Sequence, residues 1–363
     1  MNKNLTELYS NKNLYPAGID FYPPAERVPH SIIFELDTGC SYNRCTYCEG
    51  FKGVPHKIKT LEEYQQHVDD IFEQLGDYTK YLRKIFIGGA DAIDTETELL
   101  HEATDYTIYQ FIEHTGRKPD RVSLYGRTDS IKKKGPKDMK YLYTGYRNKG
   151  ISGFLKDTGL TVMSPKRIVP RLIYWGVESG SDEVLDYVDK GYTKNDILES
   201  AEILNKIRLP YIFTDFGTLF NTSVMIMPGL GGKKFYDEHI DGTVEVINAI
   251  NPRYLTFMGI NPPENSAYAQ KMEEEIKTGA NRPLTEREMS EQMISMIENA
   301  HLFPCTIGCF GEDIDAVGHN PLPFGSVYHS YGRFYSTKKN LVKSLKFKLF
   351  NADDDDAGAI KLI

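Results

Sequence analysis

The sequence contains few cysteines and no long apolar run, and both absences limit the kinds of protein it can encode. Five cysteines occur in 363 residues, three of them close together, which does not match the paired framework of a disulfide-stabilised secreted protein. The longest apolar run surrounds Val224–Met227 and is far too short to span a bilayer. The amino terminus has no apolar segment of signal-peptide length. These absences predict a cytoplasmic protein in a reducing compartment.

An excess of positive charge is also missing. The formal net charge is −8, so the chain has no general attraction for polyphosphate, and nucleic acid would need a local basic patch. The one lysine run, Lys132–Lys134, lies close to glycine, proline and aspartate and is predicted to be part of a solvated loop. We therefore expect a small-molecule substrate, with no membrane attachment and without nucleic acid as the favoured partner.

The composition is that of a globular protein. Hydrophobic residues make up 40% and charged residues 26%, and the 24 Tyr and 18 Phe residues exclude a disordered or low-complexity chain. At this length the chain can bury a large core, either as one barrel-sized domain or as two smaller domains.

Apolar runs that end in glycine or polar residues alternate with stretches of helical periodicity. The runs predict six strands: Ser31–Leu36, Lys84–Gly89, Arg121–Tyr125, Arg171–Val177, one strand within Tyr211–Met227, and Tyr254–Met258. Helical spacing lies between them, for example from Thr60 to Tyr78 and from Thr95 to His114. Such alternation predicts an α/β protein with parallel strands and helices outside, either as a barrel or as a doubly wound sheet.

Several unusual residues follow the carboxyl ends of successive predicted strands, and their placement favours the barrel. In a parallel barrel the strand-to-helix loops converge over the mouth, where binding residues collect. The residues at these strand ends are the clustered cysteines, Gly88, Gly89, Arg127, Glu178, Pro228 and Gly229. We therefore predict a partial (β/α)6 TIM-type barrel.

The predicted barrel core covers residues 31–300. Residues 1–30 are polar and rich in proline, and they are predicted to be an irregular lead-in. Residues 301–363 are predicted to be a C-terminal extension that could cap the substrate, with a last edge strand at Leu345–Leu349. Cys305 and Cys309 lie four residues apart in this extension and would share one face of a helix.

The clustered cysteines are Cys40, Cys45 and Cys48, spaced C-x4-C-x2-C directly after the first predicted strand. A loop this short can turn three thiolates toward one point, and such soft anions select iron or zinc. An iron–sulfur cluster normally takes four protein ligands, and the neighbourhood has no fourth cysteine. One iron would then be left open.

Two other sites fit the same cysteines. His56 could complete a tetrahedral zinc site, although structural zinc sites usually repeat the C-x2-C pair, which this chain does not do. Ferredoxin-like electron carriers use C-x4-C-x2-C with a distant fourth cysteine, for which Cys305 or Cys309 would be available. Such carriers are small, whereas this chain has a much larger body to explain.

Two further motifs complete a pattern that resembles radical S-adenosylmethionine (SAM) enzymes. They are the glycine pair Gly88–Gly89 and the segment Tyr174–Leu185 followed by Lys190–Thr193. The resemblance covers about residues 31–300 and is closest to the branch that holds oxygen-independent coproporphyrinogen oxidase, the tRNA methylthiotransferases and the Elongator catalytic subunit. Most of the superfamily has C-x3-C-x2-C, and the extra residue here is a variant seen in uncharacterised members of that branch.

The resemblance implies how the cofactors are held. Cys40, Cys45 and Cys48 would bind a [4Fe–4S] cluster whose open iron takes the amino and carboxylate groups of SAM. By the same resemblance Tyr47 would lie against the adenine, the backbone of Gly88 and Gly89 would receive the amino group, Glu178 would bond the ribose, and Lys190 would face the carboxylate. Asp91, Arg127, Ser179, Pro228 and Gly229 are further candidates for cofactor binding, Asp91 because the family motif has an acidic residue nearby.

The implied reaction is reductive cleavage of SAM to a 5′-deoxyadenosyl radical that abstracts hydrogen from a substrate. An electron donor such as flavodoxin or ferredoxin would be required, and the cluster would be oxygen-sensitive. Candidate substrate contacts are the tail residues Cys305, Cys309, His319 and Asn320. The two cysteines could be a radical-quenching pair, partial ligands to a second cluster, or buried apolar residues.

Overall fold

The computed structural model describes residues 3–144, 169, 171–207, 220–302, 305–310 and 334–351. The strands are β1 (Ser31–Glu35), β2 (Asp37–Thr38), β3 (Lys57–Ile58), β4 (Lys84–Gly88), β5 (Arg121–Gly126), β6 (Arg171–Glu178), β7 (Phe220–Ile226), β8 (Tyr254–Met258) and β9 (Thr306–Phe310). The helices are α1 (Lys3–Ser10), α2 (Leu61–Leu75), α3 (Thr97–Thr115), α4 (Thr128–Thr144), α5 (Asp182–Tyr187), α6 (Lys194–Ile207), α7 (Tyr236–Ile250), α8 (Ala267–Thr278), α9 (Glu286–Asn299) and α10 (Phe334–Asn351).

The main sheet has seven strands in the order β1-β4-β5-β6-β7-β8-β9, which is the order of the chain. The pairs β1–β4, β4–β5, β7–β8 and β8–β9 are parallel. A doubly wound sheet reverses its strand order part-way, whereas a (β/α) barrel adds each strand beside the previous one. The topology therefore confirms the predicted α/β class and the partial barrel type. It adds β9, a seventh strand that the sequence did not predict.

The described residues form two compact units. The first takes the described parts of Met1–Ser41, Gly50–Tyr174 and Ile203–Asn221, and the second takes Tyr42–Glu49 and the described parts of Trp175–Glu202 and Thr222–Ile363. The segment Tyr42–Glu49 thus groups with residues more than 100 positions away. The predicted boundaries at residues 30 and 300 stay a prediction.

The amino-terminal segment is more regular than predicted. It begins with α1, on which Leu5 and Leu8 are fully buried, and Tyr15 and Tyr22 are buried further along. The apolar residues Leu5, Leu8 and Tyr9 recur at helical spacing, a signal that the proline content of the segment obscured.

The tail differs from two predictions. Cys309 lies on β9, in register with Phe257 of β8, so Cys305 and Cys309 do not share a helix face. Leu345–Leu349 lies inside α10 rather than on an edge strand. Its buried residues Leu341, Val342, Leu345 and Leu349 recur at helical spacing, and this longer pattern overrides the short alternation that suggested a strand. No helix within the described ranges is long and apolar enough to cross a membrane.

A buried carboxylate ties three strands of the first unit together. Glu26 Oε1 accepts hydrogen bonds from the Arg121 guanidinium, from Ser123 Oγ at 3.0 Å and from the Tyr174 hydroxyl at 2.8 Å. Its other oxygen accepts from Ser31 Oγ at 2.7 Å. Burial opposes ionisation of Glu26, but the charge of Arg121 and these bonds outweigh it and hold its pKa below the ordinary value.

We expect Glu26→Gln to destabilise the protein by about 3–5 kcal/mol at neutral pH, because Arg121 loses its buried partner. A carboxyl whose folded pKa is lowered contributes stability above its unfolded pKa and loses it as the pH falls through the folded pKa. The difference between wild type and Glu26→Gln in urea unfolding should therefore shrink at acid pH. As a control, Glu291→Gln affects an exposed pair with Arg287 and should change stability by less than about 1 kcal/mol. Equal effects of the two substitutions would contradict the account.

Candidate functional site

A short antiparallel ladder closes the base of the cysteine loop. Asp37 pairs with Ile58 and Thr38 pairs with Lys57, so that β2 and β3 bracket the chain on either side of the cysteines. The loop follows β1 directly, at its carboxyl end, as the sequence predicted.

The three cysteines of the loop form no disulfide. Cys45 is buried, and Cys40 and Cys48 are partly exposed. Within the described part of the chain, no group of three or more His, Cys, Asp or Glu side chains is placed to hold a metal ion. The donor set has the soft thiol chemistry that iron requires, but convergence of the three thiolates on one metal stays a prediction.

The second strand ends in the glycine pair. Gly88 is the last residue of β4, and Gly89 has a positive φ of 135°. A Cβ on Gly89 would overlap Oδ1 of Asp37, so only glycine allows this approach of backbone and carboxylate. Asp37 is 2% exposed, and its Oδ1 is buried without a hydrogen-bond partner among the described residues. Sequence reasoning missed Asp37, although an aspartate beside an apolar strand and three residues before Cys40 was a signal.

Asp37 also lies close to the imidazole ring of His56 and changes its pKa. Nε2 of His56 lies 3.6 Å from Oδ2 of Asp37. The interaction with the Asp37 carboxylate raises the pKa of His56 although partial burial opposes it, while burial raises the pKa of Asp37 against the effect of His56. His56, which the sequence offered as a zinc ligand, is thus placed beside a carboxylate.

Asp91 and Arg127 lie together at the start of α4. The Arg127 N–H donates to Asp91 Oδ1 at 3.1 Å, and the Ser130 hydroxyl donates to Oδ2. Burial raises the pKa of Asp91 to about 7 despite these bonds. The Arg127 guanidinium donates to Asp129 at 3.0 Å. Both oxygens of Asp91 therefore have partners at the helix start, and its role in cofactor binding stays a prediction.

In the second unit, Glu178 and Lys190 form a buried ion pair. Lys190 Nζ lies 3.0 Å from Glu178 Oε1 and donates to the Tyr47 hydroxyl at 3.0 Å. Burial disfavours the charge on Lys190, but Glu178 outweighs it and raises the lysine pKa well above its ordinary value. Glu178 has a positive φ of 63°, a strained conformation of the kind found at functional sites, and its Oε2 is buried without a partner among the described residues.

Ser179 takes part in packing of the strand end. Its hydroxyl lies 2.8 Å from His239 Nδ1, and His239 Nε2 lies 3.0 Å from the Met227 carbonyl. A carbonyl only accepts, so Nε2 carries the proton and Nδ1 accepts from Ser179. Burial lowers the pKa of His239 to about 4 and keeps the ring neutral. No motif or spacing in the sequence singles out His239.

The turn after β7 contacts α9. The Gly229 N–H donates to Gln292 Oε1 at 2.8 Å, and Gln292 donates in turn to the Tyr236 carbonyl at 3.1 Å. These bonds fix the Pro228–Gly229 turn, and its predicted cofactor role stays a prediction.

The tail candidates divide into two groups. Cys305 is fully buried, and burial raises the pKa of its thiol to about 12, so it is a neutral thiol at physiological pH. This favours the buried apolar role among the three alternatives. Cys309 lies on β9, and His319 and Asn320 lie outside the described residues.

Comparisons with known proteins give similarities among solved structures only. No protein-family model matches the chain, and no curated protein matches it. It is similar to an amino-terminally truncated Elp3 of the archaeon Methanocaldococcus infernus (14% identity, TM-score 0.46), with 88% of this chain aligned to 64% of that one. It is similar to OxsB, a cobalamin-dependent S-adenosylmethionine radical enzyme (14% identity, TM-score 0.47), with 90% of this chain aligned to 48% of OxsB. It is also similar to methylornithine synthase, PylB (12% identity, TM-score 0.44), over 95% of this chain and 91% of PylB.

The chain thus spans 64% of the length of the Elp3 structure and 48% of the length of OxsB. With identities of 14% or less and TM-scores below 0.5, these similarities do not decide the function. The function has to be inferred from the residues of this chain.

Proposed function

We propose that the protein is a radical SAM enzyme that binds a [4Fe–4S] cluster through Cys40, Cys45 and Cys48. The observation that carries the proposal is the cysteine loop. Three cysteines, none in a disulfide, lie within nine residues after the first strand of a parallel sheet whose strands run in chain order. When bound, the reduced cluster would supply one electron to the sulfonium of SAM, whose carbon–sulfur bond would break to give methionine and a 5′-deoxyadenosyl radical that abstracts hydrogen from the substrate.

The residues present have the chemistry that SAM requires. SAM carries a carboxylate, an ammonium group and ribose hydroxyls. The Lys190 ammonium, held charged by Glu178, suits a carboxylate. The unpartnered Oε2 of Glu178 is an acceptor for a hydroxyl. The unpartnered Oδ1 of Asp37, at the closely approached Gly89, is an acceptor for an ammonium group.

The chain's own residues therefore bind and orient the cofactor. Buried acceptors that lack a protein partner are costly, and a ligand donor that reaches them removes this cost. Tyr47, whose hydroxyl is bonded by Lys190, offers an aromatic face for the adenine.

No observation favours the alternative of an electron carrier. That function needs a fourth thiolate from Cys305 or Cys309, and Cys305 is fully buried, which raises the pKa of its thiol to about 12. The zinc alternative needs His56 as the fourth ligand, and structural zinc sites usually repeat the C-x2-C pair, which this chain does not do.

The substrate class, the electron donor and the remaining contact residues are proposed on the basis of the sequence analysis. The substrate is a small molecule, residues 301–363 contribute to covering it, and a flavodoxin or ferredoxin donates the electron in the cytoplasm. Asp91, Arg127, Ser179, Pro228 and Gly229 remain candidate cofactor contacts, and Cys309 and His319 remain candidate substrate contacts.

The decisive experiment is anaerobic reconstitution with iron and sulfide. We expect about four irons per chain, and conversion of SAM to 5′-deoxyadenosine and methionine on addition of dithionite. Iron content is measured colorimetrically and 5′-deoxyadenosine by chromatography. Binding of zinc in preference to iron, or a reduced cluster that leaves SAM intact, would overturn the proposal. Transfer of deuterium from labelled candidate substrates into 5′-deoxyadenosine would then identify the substrate.

A further inference from the structure

Four consecutive residues, Val188–Gly191, contact the cysteine loop, and we name them the anchor segment. We propose that the anchor segment is a positioning element that holds Tyr42–Tyr47, and with it Cys45 and Cys48, in the conformation that binds the cluster. This inference rests on the proposed function. All of its contacts lie within the second unit.

The first contact is through the backbone next to Cys45. The Thr46 N–H donates to the Val188 carbonyl at 3.0 Å. On its other side, the Thr46 carbonyl accepts from the Tyr268 N–H at 3.1 Å, at the start of α8. Both backbone groups of the residue that follows Cys45 are therefore fixed by partners far away in sequence.

The second contact joins Tyr42 to Asp189. The Tyr42 hydroxyl lies 2.6 Å from Oδ1 and 2.9 Å from the carbonyl oxygen of Asp189, and it donates to this residue. Arg44 donates to the Tyr42 hydroxyl at 2.9 Å and lies 3.5 Å from Asp189 Oδ1. Asp189 itself has a positive φ of 47°, which presents its carbonyl and carboxylate to one hydroxyl.

The third contact requires a glycine. Gly191 has a φ of 85°, and a Cβ on it would overlap the ring of Tyr42. Any larger residue would push the ring away as well as strain the backbone.

The fourth contact is the bond from Lys190 to the hydroxyl of Tyr47, which lies between Cys45 and Cys48. Tyr47 also packs on an apolar cluster that includes Val184, Val188 and Tyr268. The resemblance gives Lys190 a role toward SAM, but it gives none to Tyr42, Asp189 or Gly191, and these contacts are what the structure adds.

Holding the cysteine loop in one conformation lowers the entropy cost of binding the cluster. Three thiolates bind one cluster only if the loop gives up its conformational freedom, and fixing each backbone residue costs about 1–2 kcal/mol. An element that fixes the loop in advance lowers this cost at the moment of binding. The anchor segment should therefore control how tightly the cluster is retained without itself contacting iron.

The test uses two variants of the full-length protein with matched controls. Tyr42→Phe removes only the hydroxyl, and its control is Tyr106→Phe, which removes a similar bond to Asp69 on α2. Gly191→Ala adds the obstructing methyl group, and its control is Gly279→Ala, with a φ of 70° and no atom within 4 Å of the added Cβ. Both controls share the chemistry of the change but lie away from the loop.

The first measurement uses protein without cluster. Alkylation of each cysteine by iodoacetamide is followed by mass spectrometry. We expect Tyr42→Phe and Gly191→Ala to speed alkylation of Cys45 about five- to tenfold, the factor expected for one lost hydrogen bond. Alkylation of the buried Cys305 should stay unchanged, as should all rates in the controls. This measurement tests the anchor segment even if wild type binds no iron, which would overturn the proposed function alone.

The second measurement uses reconstituted protein. We expect the two variants to lose iron to a chelator about five- to tenfold faster than wild type and to broaden the EPR spectrum of the reduced cluster. Asp189→Asn keeps a side-chain oxygen for Tyr42 and tolerates the positive φ, so it should behave as wild type, whereas Asp189→Ala loses that oxygen and strains the backbone, so its effect should be at least as large as that of Tyr42→Phe. Tyr42→Phe keeps the test valid if Gly191→Ala does not fold. The proposal is overturned if Tyr42→Phe matches its control in alkylation of Cys45 and in iron loss.

Discussion

Replacing Cys40, Cys45 or Cys48 by alanine is expected to lower bound iron from about four per chain to less than one. Each substitution removes one of the three proposed protein ligands, so the cluster would keep only two bonds to the protein. Formation of 5′-deoxyadenosine should fall to the background level. Anaerobic iron and sulfide assays, with chromatography of the SAM products, measure both effects.

Cys305→Ala is the matched control for these variants. Its thiol is buried and neutral, so its removal should leave the iron content unchanged. The only expected effect is a small loss of folding stability, because the substitution leaves a small cavity. Loss of iron in Cys305→Ala, with a preserved fold by circular dichroism, would instead support the electron carrier with a fourth cysteine ligand. Cys309, the other candidate for a fourth ligand, is tested by combining Cys305→Ala with Cys309→Ala, and this double variant together with the three loop variants separates the two functions.

The second large effect is expected from Lys190→Met. This substitution leaves the Glu178 carboxylate buried without its cation, which should destabilise the protein by about 3–5 kcal/mol. It should also abolish SAM cleavage, since the proposed partner of the SAM carboxylate is gone. Urea unfolding gives the change in stability, and equilibrium binding of SAM gives the change in affinity.

A second substitution distinguishes stability from function. Glu178→Gln added to Lys190→Met removes the stranded charge and should restore much of the lost stability without restoring SAM cleavage. The control is Lys277→Met in an exposed ion pair with Glu273, where we expect a change of less than about 1 kcal/mol. If Lys190→Met cleaved SAM at the wild-type rate, the role proposed for Lys190 would be wrong.

The position of the cysteine loop after the first strand and the alternation of strands and helices could be predicted from sequence because both signals are local. Predicted strands Ser31–Leu36, Lys84–Gly89 and Tyr254–Met258 match β1, β4 and β8 within a residue, since short apolar runs bounded by glycine or polar residues carry their own signal. The same rule failed at Leu345–Leu349, where a five-residue window could not reveal the longer helical pattern of α10.

Only the tertiary structure decided which polar groups meet. Tyr42 and Asp189 are 147 residues apart in sequence, and Arg121 and Glu26 are 95 apart, so no local pattern could pair them. The fold likewise decides that Asp91 accepts a hydrogen bond at the start of α4, and that an oxygen of Asp37 lies against Gly89 without a partner among the described residues. Both arrangements depend on how the strands place distant segments side by side. Periodicity and spacing predict whether a segment is a helix, a strand or a ligand-bearing loop. The desolvation and pairing of its charged groups depend instead on which distant residues the fold places beside the segment.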